Sequence, residues 1–224
     1  MQSSPSRGGR MGRPPRLSRE AIVEAAKRIL AEEGAKNLSM RRVAKDLEST
    51  PMALYHHVKD KDELLLLLLE AHAGQFPRTD MPDDPRDHLI KAAQLLYDIL
   101  ADCPWIVEVL ASDDLMAVSA LWIVENIIDG AVRCGMTPEE AVYAYRVIWY
   151  YTAGELMLRV AREQRYARPD AGAHREKAFA NLDPEQFPRL SSLSELWPAL
   201  TSRDMHRPGL IAIVDGLLRQ TVGR

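Results

Sequence analysis

Cysteine is nearly absent: Cys103 and Cys134 are the only two in 224 residues. So few, near expected helix ends in apolar surroundings, rule out a disulfide framework and predict the reduced thiols of a cytoplasmic protein. Long apolar runs are missing too. The longest leucine run, at positions 64–69, falls far short of the roughly 20 residues that cross a bilayer. The N-terminus carries arginines but no apolar core of a signal peptide, so the chain is expected to be soluble, with no membrane partner. No period-two alternation, internal repeat or glycine-rich phosphate loop occurs, which predicts an all-α fold. Residues 76–224 offer no motif of a nucleophile with its base, so no catalytic residue and no cofactor is expected. His56 and His57 point about 100° apart on a helix and lack a cysteine or carboxylate pair to complete a site, so no metal is expected either.

What the chain does have is 46% hydrophobic residues, enough for two modest domains with a buried core. Its formal net charge is only −3, but the distribution is uneven. Residues 1–75 hold 13 Lys and Arg against 10 Asp and Glu; residues 76–224 hold 16 against 22. The basic end is the one suited to nucleic acid. Residues 1–16 place Arg7, Arg10, Arg13 and Arg16 among Gly, Pro and Ser with no acidic residue, which predicts a disordered basic arm attracted to phosphate.

Residues 39–61 carry the strongest signal. Ser39 is a good N-cap, after which Val43, Ala44 and Leu47 share a helical face while Arg41, Arg42 and Lys45 point elsewhere. Ala44 is small where two helices must nearly touch. Glu48, Ser49 and Thr50 supply a turn, and Thr50-Pro51 is a cap followed by proline at the first helical position. Leu54 and Val58 return to the core. The spacing matches a helix-turn-helix, whose second helix enters the major groove while the first crosses the backbone. Met52, Ala53, Tyr55 and His56 would face bases or groove walls, with Arg41, Arg42 and Thr50 among the DNA-binding residues.

These residues resemble the tetracycline-repressor family of bacterial regulators, most strongly in Leu54-Tyr55-His56-His57-Val58-Lys59-Asp60-Lys61-Asp62-Glu63-Leu64. The resemblance reaches back through Leu38-Ser39-Met40-Arg41-Arg42-Val43-Ala44 to Ser18-Arg19-Glu20, about a fifth of the chain. It implies phosphate contacts from Tyr55, His57, Lys59 and Lys61. One departure stands out: the family usually has glycine in the turn where this chain has Glu48, and a non-glycine residue at positive φ is strained unless the turn is reshaped. In the arm, Gly12-Arg13-Pro14 resembles the core of minor-groove AT-hook peptides, with Met11 where a preceding arginine would stand.

Around this motif, a helix capped by Ser18 carries Ile22, Ala25, Ala26, Ile29 and Leu30 until Gly34 stops it. Another begins at Asp60 with Glu63 as a capping box and runs through the leucines to about Ala73. Leucine at six successive positions covers every side of a helix, so it should be buried on several faces and act as the lever between the domains. Residues 76–85 read as a linker ending in the cap Asp84-Pro85, after which Leu89, Ala92, Ala93, Leu96 and Leu100 mark a helix stopping before Pro104. A short segment around residues 105–110 precedes a helix expected from about Asp114 to Arg133, ended by Gly135. Thr137-Pro138-Glu139-Glu140 is the clearest helix start. From Ala141 to Ala161 only Arg146, Thr152, Glu155 and Arg159 are strongly polar, so one face should pack within the subunit and another against a second subunit. Residues 166–174 read as a mobile loop, short helices as starting at Asp183-Pro184 and Ser192, and an apolar helix as spanning about Pro208 to Val222. The resemblance implies that this last helix and the one after Thr137 form a four-helix dimer bundle.

The expected domains are thus the arm at 1–16, a helix-turn-helix domain with its connecting helix at 17–75, and a larger helical effector-binding and dimerisation domain at 76–224. Trp105, Trp122, Trp149, Trp197, Tyr97, Tyr143, Tyr145, Tyr150 and Tyr151 lie in the last of these, with Met116 and Met157. The resemblance implies an effector cavity there. Most of these aromatics read as core or dimer packing; Trp105, Met116, Trp122 and Trp149 are the chosen pocket candidates. Glu155 either pairs with Arg159 four positions on or lines the cavity, where it would favour a cation or hydrogen-bond donors. Glu125, Asp129 and Arg133, four apart, read as an exposed ion-paired face. The expected function is a homodimeric transcriptional regulator, a repressor, which binds a palindromic double-stranded DNA operator and is released by a small-molecule effector. The alternatives are an effector-independent architectural DNA binder and a DNA-docked enzyme.

Overall fold

The computed structural model describes residues 17–112, 115–166, 179 and 181–222, and its regular structure is helical. The basic arm and residues 167–174 of the expected loop lie outside the described residues. The chain divides into two compact units, the first ending at Ala71 and the second beginning at His72.

In the first unit, α1 (Arg19–Glu33) starts where the Ser18 hydroxyl accepts the Ala21 N–H, and it buries Ile22, Val23, Ala25, Ala26, Ile29 and Leu30. α2 (Met40–Asp46) starts where Ser39 accepts the Arg42 N–H. α3 (Pro51–Tyr55) starts where Thr50 accepts the Ala53 N–H with Pro51 at its first position. Val43, Ala44, Leu54 and Val58 are buried as the spacing requires, while Leu47, the residue that closes α2, is half-buried. α4 (Lys61–Ala73) crosses the boundary between the units. Its leucines are not equivalent: Leu64, Leu65, Leu68 and Leu69 are buried, Leu66 and Leu67 half-buried.

The second unit opens with residues 77–84 pinned rather than loose. Lys91 donates to the Asp80 carbonyl (3.0 Å) and Arg133 to the Asp83 carbonyl (2.5 Å). α5 (Pro85–Ala101), capped by Asp84, packs chiefly against α7 (Leu121–Arg133). They meet closely at Gly130, where a Cβ would stand 3.0 Å from the Leu89 backbone. α6 (Pro104–Ser112) lies between them in sequence. α7 is shorter than expected: residues 115–117 are not helical, a 3-10 turn at Val118–Ala120 follows, and the α-helix begins only at Leu121. Ala120 offers no capping side chain, so nothing local marks that start.

α8 (Pro138–Tyr166) begins with the reciprocal box, Glu140 accepting the Thr137 N–H (3.0 Å) and Thr137 accepting that of Glu140 (3.3 Å). It buries Ala141, Ala144, Ile148, Thr152, Ala153 and Leu156. Two short helices, α9 (Pro188–Leu193) and α10 (Trp197–Thr201), start about five residues later than Asp183-Pro184 and Ser192 suggest. The Asp183 carboxylate is spent on a local turn, accepting the Glu185 N–H, and proline then sets the start at Pro188. α11 (His206–Val222) packs on α5 and α8 and is clamped by Arg86, which donates two hydrogen bonds to Asp215. Among the described residues, no helix is long and apolar enough to cross a membrane.

Candidate functional site

The first unit gathers most of the expected DNA-facing residues around α3. Met52 (69% exposed) and Tyr55 (46%) project outward, His56 is exposed, and Ala53 and His57 are half-buried. The stretch from His56 to Asp60 is held by two residues outside the expected set. Arg19 donates through Nε to the His57 carbonyl (2.7 Å) and through its terminal nitrogen to Glu63 Oε1 (2.5 Å). The other oxygen of Glu63 accepts the Lys59 N–H (2.6 Å), while Asp60 caps α4 by accepting the Glu63 N–H (2.8 Å). The brace fixes the backbone beneath Lys59 and Lys61 and leaves both side chains exposed. Asp60–Glu63 was legible as a capping box; Arg19, 44 residues from its partner, had no signal.

Arg41 and Arg42 differ. Arg41 is exposed, whereas Arg42 grips Glu33 through two nitrogens and reaches Asp46, which in turn holds Arg28. The Glu33 carboxylate holds the Arg42 guanidinium above its usual range. The turn before α3 is not reshaped around Glu48. Glu48 takes φ 48°, its N–H donates to the Lys45 carbonyl (3.3 Å), and the Ser49 N–H donates to that of Ala44 (2.9 Å). These two bonds are the Schellman closure of a helix, in which glycine is the usual residue.

In the second unit the chosen pocket residues differ in exposure. Trp105, Trp122, Trp149 and Glu155 are half-buried and Met116 is exposed; no ring contact joins the three tryptophans among the described residues. Arg159 is not the partner of Glu155: it donates to the Tyr97 hydroxyl (3.2 Å) and the Ala101 carbonyl (2.9 Å), closing the end of α5. Arg133 pairs with Asp129 (3.7 Å) but also turns inward to buried His88 (3.0 Å). Since arginine only donates, the free lone pair of His88 is on Nδ1, and its Nε2–H donates to Asn126 (3.1 Å). One further pair unites residues far apart in sequence: Cys103 Sγ lies 3.4 Å from His72 Nδ1, while His72 Nε2 meets the Ile99 carbonyl (3.3 Å). A base outside residues 76–224 thus stands beside a thiol inside them. Burial pushes the thiol pKa up, against thiolate formation.

A family model of the bacterial regulatory proteins of the tetR family matches residues 22–68, and one of the tetracycline-repressor-like C-terminal domain matches residues 76–221. The chain belongs to the tetracycline-repressor family. It is similar to the HTH-type transcriptional repressor DrrR1 of Streptomyces coeruleorubidus, 33% identical over 205 residues covering 85% of this chain and 72% of that one. Among solved structures, it resembles the family member ActR of Streptomyces coelicolor in complex with actinorhodin (TM-score 0.74, 25% identity, 91% of this chain and 96% of that one). It also resembles BioQ with its double-stranded DNA operator (TM-score 0.63, 25% identity, 91% of this chain and 99% of that one). The family assignment makes the chain a DNA-binding transcriptional regulator, with the helix-turn-helix at α2 and α3.

Proposed function

We propose that two copies of the chain bind a palindromic operator and repress transcription, and that a small molecule held in the second unit releases them. The observation that carries this reading is the surface around α3. Met52, Tyr55 and His56 stand beside exposed Lys59 and Lys61, on a backbone braced by Arg19 and Glu63. Met52 and Ala53 would touch base edges. Tyr55, His57, Lys59, Lys61 and Arg41 would contact phosphates, as would the Thr50 hydroxyl, which accepts a backbone N–H and retains a proton to donate. A repressor relative, an operator-bound structural neighbour and a ligand-bound one support the two-site reading.

Pairing is supported by α8. Tyr143, Tyr150 and Met157, seven apart, are exposed together with Val142 and Leu158, an apolar stripe that no other described residue covers. A twofold dimer sets its recognition helices about 34 Å apart or a multiple of that. The effector acts by binding more tightly to a dimer in which α4 holds those helices out of register. A coupling of about 1–3 kcal/mol lowers DNA affinity roughly 5- to 150-fold. Trp105, Met116, Trp122, Trp149 and Glu155 remain its proposed contacts.

Selection from a random pool of duplexes tests the reading: an inverted repeat is expected, bound by two chains and discharged by some members of a small-molecule collection. A monomer that enriches no sequence overturns it; enrichment without any discharging compound favours the architectural alternative.

A further inference from the structure

His206 is 1% exposed, and among the described residues neither of its ring nitrogens meets a hydrogen-bond partner. Its ring lies nearly parallel to two others: Tyr97 on α5 (centroids 3.4 Å apart, planes 16° apart) and Tyr151 on α8 (5.4 Å, 15°). Both tyrosines are themselves fixed. Arg159 donates to the Tyr97 hydroxyl, and the Tyr151 hydroxyl lies 3.2 Å from the carbonyls of Met205 and His206, between which it shares its proton. Position 209 must be glycine for this, because a Cβ there would collide with the Tyr151 hydroxyl.

A neutral imidazole offers one N–H and one lone pair, and inside a protein such groups almost always find partners. Here burial holds the imidazole pKa below its ordinary value, so the ring stays neutral and its lone pair open. The charged groups around it are Asp98, Asp204 and Arg159, and Glu155 lies within electrostatic reach of both tyrosines. Three carboxylates against one guanidinium disfavour an anion. Tyr97 covers a face of the ring at contact distance, and a donor meets the imidazole at its edge, where the nitrogens point.

We propose that the Tyr97–His206–Tyr151 cluster is the polar end of the effector site and takes an aromatic ligand through a hydrogen-bond donor, hydroxyl or ammonium, received by His206. The proposal rests on the effector reading above and names the chemistry of that site.

The test uses four naphthalenes differing in one substituent: 2-naphthol, 2-naphthylmethylamine, 2-methylnaphthalene and 2-naphthoate. Binding to the full chain without DNA is followed by the side-chain nitrogen resonances of 15N-histidine-labelled protein, with His206→Phe assigning the signal. A donor-bearing probe is expected to bind about tenfold more tightly than 2-methylnaphthalene, the worth of one buried hydrogen bond, and to shift the His206 resonance. The better of naphthol and amine identifies the donor. In His206→Phe, which keeps the stack but removes both nitrogens, the preference should fall below about twofold, and His206→Gln, with its own donor and acceptor, should retain part of it. The melting temperature of ligand-free His206→Phe should be no lower than that of the parent, since two unpartnered atoms are lost. Equal binding of all four probes, a preference that survives His206→Phe, tighter binding of naphthoate, or a marked fall in that melting temperature overturns the proposal. A chain that binds naphthol through His206 yet never leaves its operator overturns the effector-release reading alone.

Discussion

Glu48 and Gly135 hold the same place in two copies of one helix-ending motif. After α7, Gly135 at φ 97° donates to the Val132 carbonyl and Met136 to that of Ala131; after α2, Glu48 at φ 48° donates to Lys45 and Ser49 to Ala44. The backbone geometry is common to both, so the difference lies in the Cβ.

Glu48→Gly is therefore expected to stabilise the first unit. Left-handed backbone costs an L-residue about 1–2 kcal/mol. The extra unfolded-chain freedom of glycine returns about 0.5–1 kcal/mol of that. A net gain of up to roughly 1 kcal/mol should raise the urea midpoint with no change in slope. Because the turn already has its final shape, operator affinity should change little; a large change would mean that the strain is used in docking.

Arg42 and Arg41, adjacent in sequence, should separate cleanly on mutation. Arg42 is held by Glu33 and Asp46, so Arg42→Ala should lower the melting temperature while leaving the salt dependence of DNA binding intact. Arg41→Ala and Lys61→Ala should do the reverse, each reducing the salt slope by about one without loss of stability. An unchanged slope for Lys61→Ala would contradict its phosphate contact.

The features legible in the sequence were those closed by local chemistry. Ser18, Ser39, Thr50-Pro51, Asp84-Pro85 and Thr137-Pro138 each cap a helix through a bond spanning three residues, and each lies where the pattern placed it. The start of α7 was not legible, because the apolar pattern runs on through residues 115–120 with no cap to interrupt it. The partners of Arg42, Arg159 and His206 were also hidden, because periodicity tells which side of a helix is buried and nothing about what covers it. Arg42, read from its neighbours, looks like a DNA contact; only the fold brings Glu33 to it.

His206 predicts an acid-side loss of stability. Its folded pKa lies below the ordinary 6.5, so the folded state binds fewer protons than the unfolded one as the pH falls through that value. The stability tied to its neutral form is complete above about pH 6.5 and is lost progressively as the pH falls toward the depressed folded pKa. Urea midpoints measured between pH 8 and pH 5 should decline more steeply in the parent than in His206→Phe. Parallel curves would mean that His206 titrates alike in both states.

Gly154 offers the sharpest test of where two chains meet. It is a half-buried position on α8 between Tyr150 and Met157 of the exposed stripe, and a Cβ added there has nothing within 4 Å. Within a single chain, Gly154→Ala is thus pure gain, about 0.8–1 kcal/mol from helix propensity alone. At a tightly packed seam between two copies of α8 the same methyl becomes an intruder, and overpacking costs about 1–3 kcal/mol. The two effects oppose each other and are separable by concentration. In dilute solution the substituted chain should be more resistant to urea than the parent, while sedimentation should show a dimer dissociation constant raised roughly 5- to 150-fold. If resistance rises and the dissociation constant stays put, α8 meets its partner along some other line and the stripe of Tyr143, Tyr150 and Met157 needs a different explanation.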